Sequence, residues 1–386
     1  MRKRLALHAE RALRAASSAV RRLPAPRPLL RPLDRAASRL EHDAKSAHRS
    51  ARKRHALGGT AELRTLANVR LAHLETVDQP LVLISQVHRS GGTLLLRLLD
   101  GHPQLRVMPH ELGPALPARE VPLDPARAWD VLYDVKLPGR FRRGLKQARR
   151  ELNEDAARIP FLLPPSVHRW LFDAIVRAQP PRSGRDVLDA YYTAYFNAWL
   201  DDASLGGAKR WLVGFEPGAL ANPRQLGRFR EHYPDGRTIS LVREPASWVV
   251  SARRWSPRFA RLDIALELWS ESTRGAVRLA EDQPERSAVV DFDDLVLRTD
   301  ETMRRLARFL GIDFLPTLLT PTLNGTPVRP NSSFPAADHG VTAAPTRRSE
   351  SLTSAEQRLV EETAGELYRR ATAFSSNGDR GSSDSA

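Results

Sequence analysis

Five consecutive residues, Arg89-Ser90-Gly91-Gly92-Thr93, combine the side-chain types that grip an oxyanion. Arg89 brings a fixed charge and Ser90 and Thr93 bring hydroxyl donors. The paired glycines let backbone N–H groups approach a ligand closely. A second cationic position, Arg243, is followed eight residues later by Ser251, spaced to form a compact second anion pocket. His110 and Glu111, in Val107-Met-Pro-His-Glu-Leu112, add an imidazole and a carboxylate, either of which can accept a proton. Together the arginine, hydroxyl and glycine positions point to a phosphate- or sulfate-bearing ligand. The known phosphate templates do not fit. Gly-x-x-x-x-Gly-Lys-Ser/Thr is absent, no lysine lies near the turn, and Gly-x-Gly-x-x-Gly is absent too.

Positioning such groups requires strands that end at turns. Leu81–Ser85 reads as a buried apolar strand running into the 89–93 turn, and an apolar helix then starts and is stopped by Gly101-His102-Pro103. The positive end of that helix and its free N–H groups aim at the anion. A second such unit spans residues 238–254, where Arg243 closes the strand and Pro245 suits the first helical turn. Trp211–Phe215 and Ala288–Phe292 read as further strands. The latter leads to a helix near Glu301–Leu310 that Gly311 closes. Residues 120–205 read as mostly helical, with helices over Ser166–Ala178 and Asp186–Asp201, and a final helix covers Ser354–Arg370 behind a Thr353/Ser354 cap. In one parallel sheet the two strand-end sites would lie side by side along the carboxyl edge, so a ligand with two separated anionic groups fits best.

Alternating strands and helices across 386 residues predict an α/β protein: a central parallel sheet flanked by helices, with a helical insertion at about 120–205. The expected organisation is a basic Arg/Ala/Pro-rich arm at 1–58, a folded domain at 78–373 and a disordered tail at 374–386. With no cysteine, disulfides and thiolate metal sites are excluded. Only six of 60 basic residues are lysine, a bias that suggests a GC-rich bacterial genome. The net charge of +15 is concentrated in residues 1–58, which carry +12, whereas the rest carries +3. A nearly balanced body argues against a nucleic-acid binder, so no specific nucleic-acid partner is expected. Leu5–Leu23 can form a basic amphipathic helix on an anionic membrane, the alternative being a solvated arm. No apolar run reaches the roughly 20 residues needed to span a bilayer, and the expected location is cytoplasmic, with membrane-peripheral contact through the arm.

The chain resembles the sulfotransferase superfamily, which uses 3′-phosphoadenosine 5′-phosphosulfate (PAPS). The 5′-phosphosulfate loop of that family is similar to Arg89-Ser90-Gly91-Gly92-Thr93-Leu94-Leu95 with Leu99-Asp100-Gly101-His102-Pro103. Its 3′-phosphate motif resembles Leu241-Val242-Arg243-Glu244-Pro245 with Ser251, and a later strand and helix resemble Asp291-Phe292-Asp293-Asp294-Leu295 and Phe309-Leu310-Gly311-Ile312. Arg-Ser-Gly at the loop is closest to bacterial members and to the tyrosine-sulfotransferase type. The cytosolic type has lysine at the position of Arg89, and threonine is more usual at Gly92.

The resemblance implies PAPS as co-substrate, held by Arg89, Ser90, Gly91, Gly92, Thr93, Leu94, Arg243 and Ser251, with no metal. The reaction it implies is in-line sulfuryl transfer to a hydroxyl or amine of a carbohydrate, lipid-linked or other small acceptor. Arg89 would neutralise the leaving phosphate, and Glu111 or His110 would be the base; a solvated turn after Pro109 is the alternative for that pair. Glu216, in Glu216-Pro217, is a second acid–base candidate, and the resemblance implies that Arg329, Ser332 and Ser333 belong to a loop closing near the 3′-phosphate, an ordinary surface loop being the alternative. The stripe Tyr191, Tyr192, Tyr195, Phe196 and Trp199 reads as core, with an acceptor wall as the alternative. Two competing readings are an atypical P-loop kinase, which lacks its lysine here, and a non-enzymatic membrane- or nucleic-acid-associated protein driven by the arm.

Overall fold

The computed structural model describes residues 59–146, 158–204, 206–328, 341 and 349–376. The arm at 1–58, the loop carrying Arg329, Ser332 and Ser333, and residues 377–386 lie outside the described residues.

The chain enters through α1 (Thr60–Ala72), β1 (Leu81–Ser85), α2 (Gly92–Leu99) and β2 (Leu105–Glu111). The helical insertion follows: α3 (Pro125–Leu132), α4 (Leu137–Arg143), a two-stranded ladder of β3 (Leu145–Lys146) and β4 (Arg158–Ile159), then α5 (Pro165–Ala178) and α6 (Gly184–Ala198). It returns to the sheet with β5 (Trp211–Phe215), α7 (Pro223–His232), β6 (Arg237–Val242) and α8 (Pro245–Trp255). Next come α9 (Leu262–Asp282), β7 (Ser287–Asp291), α10 (Phe292–Leu297) and α11 (Thr299–Leu310). A small hairpin of β8 (Thr322–Leu323) and β9 (Thr326–Pro327) precedes α12 (Ser354–Val360) and α13 (Glu366–Ser376).

The five long strands form one parallel sheet in the order β2-β5-β1-β6-β7. The expected α/β architecture is therefore the observed one. Every residue of β1 and β5 is buried, as a parallel sheet covered on both faces requires. After β1 the chain moves to the β2 edge, and after β6 it moves to the β7 edge. The direction of winding thus reverses between β1 and β6, and that is where the crevice of an open α/β sheet opens. Ser85 pairs with Ser240 in register, so the 89–93 turn and Arg243 leave the sheet side by side.

The strand β2 was not among those read from sequence. Its apolar pattern is broken by Arg106, which is fully buried, pairs with Glu75 and lies over the Phe196 ring at 5.1 Å. Pro109 is tolerated because β2 is the sheet edge and the register shifts between Val107 and Glu111. His110 and Glu111 consequently end a strand and do not sit in a free turn. The aromatic stripe of α6 is core, as expected: all five rings are buried against α5 and the sheet. The terminal helix runs further than expected, to Ser376 and so past residue 374, because Phe374 packs on the α8–α9 core and Ser375 hydrogen-bonds Asp294 at 3.3 Å. It is also interrupted by a π-turn at Glu361–Gly365.

Candidate active site

Backbone conformation in the turn is unusual. Arg89 adopts φ 74° and Gly91 φ 100°, and Gly91 caps α2 in the left-handed region. For a non-glycine residue that conformation costs of order 1–3 kcal/mol, and such strain concentrates at functional sites. Both glycines are also demanded by their surroundings. A Cβ on Gly91 would stand 2.5 Å from Phe292 Cδ2, and one on Gly92 would stand 2.6 Å from both the Gln86 amide and Phe215 Cε2. The buried Gln86 side chain therefore explains why glycine occupies position 92. Ser90 is fully buried, and its Oγ has no hydrogen-bond partner among the described residues. Left like that, a buried hydroxyl costs about 1–3 kcal/mol, which a bound oxyanion would relieve. Thr93 and Leu94 follow in the first turn of α2 and are half-buried.

Arg243 reaches this turn directly. It is buried at the end of β6, its Nη1 donates to the Arg89 carbonyl at 3.0 Å, and its guanidinium lies over the Phe292 ring at 4.4 Å. The Arg243 carbonyl accepts from Trp269 Nε1 at 3.0 Å, and the His88 carbonyl accepts from Trp248 Nε1 at 2.7 Å. Two helices thus clamp both strand ends. The start of α8 is fixed by Glu244, whose carboxylate accepts from Ala246 N at 2.9 Å and Ser247 N at 2.6 Å. That cap sets Ser251, buried in α8, two turns from Arg243. Phe292, which touches both Gly91 and Arg243, had no separate signal in the sequence beyond lying within the Asp291–Leu295 motif.

The two base candidates separate sharply. The His110 ring packs edge-on against Phe161 and Tyr195. Its Nδ1 donates to the Glu111 carbonyl at 2.8 Å, because a carbonyl can only accept. The remaining lone pair on Nε2 therefore accepts the Tyr195 hydroxyl, at 2.9 Å. Burial, then the Arg140 charge, push this imidazole down to about 3. With both nitrogens engaged, His110 is a fastener between the sheet edge and α6 and has no lone pair to offer. Glu111 is exposed.

Beside it, at the end of β5, stands Glu216. Its Oε2 accepts from Gly113 N at 2.7 Å, and burial, with the Glu111 charge acting in the same direction, pushes its carboxyl up to about 7. His102 is structural, as its place at a helix end suggests: one ring nitrogen contacts the Asp313 carbonyl at 2.9 Å and the other accepts from Gln104 N at 3.2 Å. Among the described residues, no group of His, Asp and Glu side chains is arranged to hold a metal ion.

Residues 80–316 match the sequence profile of the Sulfotransferase family, and the match takes in every residue of this site. The chain belongs to that family. Solved structures similar to this sulfotransferase include a sulfotransferase domain from the Synechococcus PCC 7002 olefin synthase, at 21% identity and TM-score 0.49. That comparison covers 75% of this chain and 96% of that one. A domain from the curacin biosynthetic pathway is 18% identical with TM-score 0.43, covering 75% and 98% respectively. A sulfotransferase from Alicyclobacillus acidocaldarius is 15% identical with TM-score 0.42, covering 77% and 96%. No protein of curated function matches the chain in sequence. Among the described residues of this sulfotransferase, no helix is long and apolar enough to cross a membrane.

Proposed function

We propose that this sulfotransferase moves a sulfuryl group from PAPS to a hydroxyl or amine acceptor. The single observation that carries the reading is the contact between Arg243 Nη1 and the Arg89 carbonyl, which joins two cationic strand ends across the switch point of the sheet. Arg89, Ser90, Gly91, Gly92, Thr93 and Leu94 would hold the 5′-phosphosulfate end, and Arg243 with Ser251 the 3′-phosphate. The orphaned Ser90 hydroxyl and the first turn of α2, which no side chain caps, match such a group.

The donor supplies an activated sulfuryl group. This chain's residues bind it, align it and manage charge. Arg89 and the α2 amides neutralise the phosphate that departs with the electron pair of the broken S–O bond. Glu111 accepts the proton of the acceptor as its oxygen or nitrogen bonds to sulfur. Glu216, its carboxyl pushed up to about 7, is only partly ionised near neutral pH and so places less than a full second negative charge beside Glu111 and the incoming anion. His110 keeps the end of β2, and so Glu111, in place.

The test is calorimetric binding of 3′,5′-adenosine bisphosphate in EDTA. Binding is expected with the metal chelated, and Arg89→Ala or Arg243→Ala should weaken it at least tenfold. If the bisphosphate raises the Tm no more than AMP does, the reading fails. A separate arm uses Glu111→Gln, which should lower kcat at least a hundredfold and leave bisphosphate affinity within twofold.

A further inference from the structure

A cavity of about 320 Å³ opens beside the turn, lined by Val87 and His88 after β1, Gly218 and Ala221 after β5, Trp255 of α8, Ser256, Arg258 and Phe259 of the α8–α9 connection, and Leu268 and Ser272 of α9. It is not part of the anion site, yet it touches it. His88 directly precedes Arg89, and Gly218 lies two residues from Glu216. Burial, followed by Arg89 in the same direction and opposed by the Glu111 charge, lowers the pKa of His88. The imidazole is therefore neutral at physiological pH and within electrostatic reach of Glu111.

The lining has a definite chemical character. His88 stacks on Trp255 with centroids 5.0 Å apart and an interplanar angle of 18°, and Trp255 stacks on Phe259 at 5.8 Å and 21°. Leu268, Val87 and Ala221 add aliphatic surface. Ser256 and Ser272 are small, and Arg258 stands exposed at the rim. Among the described residues, no carboxylate, amide or lysine lines the cavity. A polyhydroxyl ring needs several such partners for its hydroxyls, and an acidic peptide needs more than one cation. Stacked aromatic and aliphatic surface, with His88 the polar ring at the end beside Arg89 and only two small hydroxyls and a rim arginine besides, instead suits an apolar body carrying a single polar head. The size lies at the small end of ligand pockets, about 300–1,000 Å³.

His88 is the polar head's natural partner. Its ring makes a stacking contact but no hydrogen bond among the described residues, in contrast to His110, whose two nitrogens are both engaged. A neutral imidazole with one donor and one acceptor can receive a hydroxyl beside the base and the anion turn alike.

Resting on the sulfotransferase reading above, we propose that this cavity is the acceptor pocket and that the acceptor is a small, predominantly apolar alcohol or phenol, its body against Trp255 and Phe259 and its hydroxyl presented by His88. His88 acts here as a positioning residue, and the proton leaves to Glu111.

The test first measures 3′,5′-adenosine bisphosphate affinity; if that is absent, the donor reading fails and not the pocket. On protein saturated with the bisphosphate, calorimetry then compares 2-naphthol with chitotriose and with a tyrosine peptide flanked by acidic residues. The expected result is saturable naphthol binding at least tenfold tighter than either competitor. Trp255→Ala should weaken it at least tenfold, with bisphosphate affinity unchanged within twofold. Should Trp255→Ala fold poorly, Ala221→Phe, which fills the cavity, should do the same. In turnover, His88→Phe keeps a stacking ring and should raise the KM for naphthol with a smaller effect on kcat. Tighter binding of chitotriose or the peptide, or naphthol binding indifferent to both cavity variants, would overturn the proposal.

Discussion

Glu216→Gln probes the electrostatics of the site through folding stability alone. The Glu216 carboxyl is pushed up from an ordinary 4.5 to about 7, first by burial and then by the charge of Glu111. In the folded chain it therefore holds its proton over pH 4.5–7, where the unfolded chain has lost it. The folded state binds more protons, so its stability falls as pH rises across that window. The contribution is fully present below pH 4.5 and lost above 7. At about 1.36 kcal/mol per pH unit the ceiling is about 3 kcal/mol. Partial exposure, which lets water solvate the charged form, reduces this to about 1–2 kcal/mol. Glutamine keeps the acceptor for Gly113 and removes the titration. The Tm of Glu216→Gln minus that of the parent should rise between pH 5 and 8, by roughly 2–6 °C for a domain of this size.

Differential scanning calorimetry at half-unit pH steps reads the difference. Asp189 and Asp291, also pushed up to about 7 and about 6 by burial, titrate equally in both proteins and cancel. A Tm difference that stays flat from pH 5 to 8, or shrinks, refutes the placement of a buried carboxyl with a raised pKa at the end of β5.

Three shorter predictions follow from the same geometry. Gly91→Ala combines a left-handed φ with a 2.5 Å approach to Phe292; it should cost about 2–4 kcal/mol in urea unfolding and reduce bisphosphate affinity. His110→Ala should lower stability by about 1–3 kcal/mol, because the buried Tyr195 hydroxyl loses its partner, and should leave the pH limb of kcat where it was; a shifted limb would make His110 the base after all. Thr353→Ala removes the capping box with Glu356 at the start of α12 and should cost about 1 kcal/mol, measured as a Tm shift, with no change in bisphosphate affinity.

Most of the sheet and its two strand-end turns were legible because their signals are local. A buried parallel strand is a continuous apolar run, as Leu81–Ser85 shows, and a turn that must bring backbone N–H groups to a ligand needs adjacent glycines and a nearby cation. Arg89, Arg243 and the helices behind them follow from neighbours within ten residues. The strand β2 escaped because its buried Arg106 is neutralised by Glu75, 31 residues away, and its Pro109 is tolerated only at a sheet edge, which sequence order does not reveal.

Chemistry at the site was decided by partners distant in sequence. The sequence left the choice of base between Glu111 and His110 open, and it is the Tyr195 hydroxyl, 85 residues further on, that occupies the His110 lone pair. The Glu216 carboxyl is pushed up to about 7 first by burial and then by Glu111, which the pairing of β5 with β2 brings beside it. The stack of His88 on Trp255 joins residues 167 positions apart. A residue's type fixes which protons and lone pairs it can offer, whereas burial and neighbours brought in by the fold set which of them remain available, and at what pH.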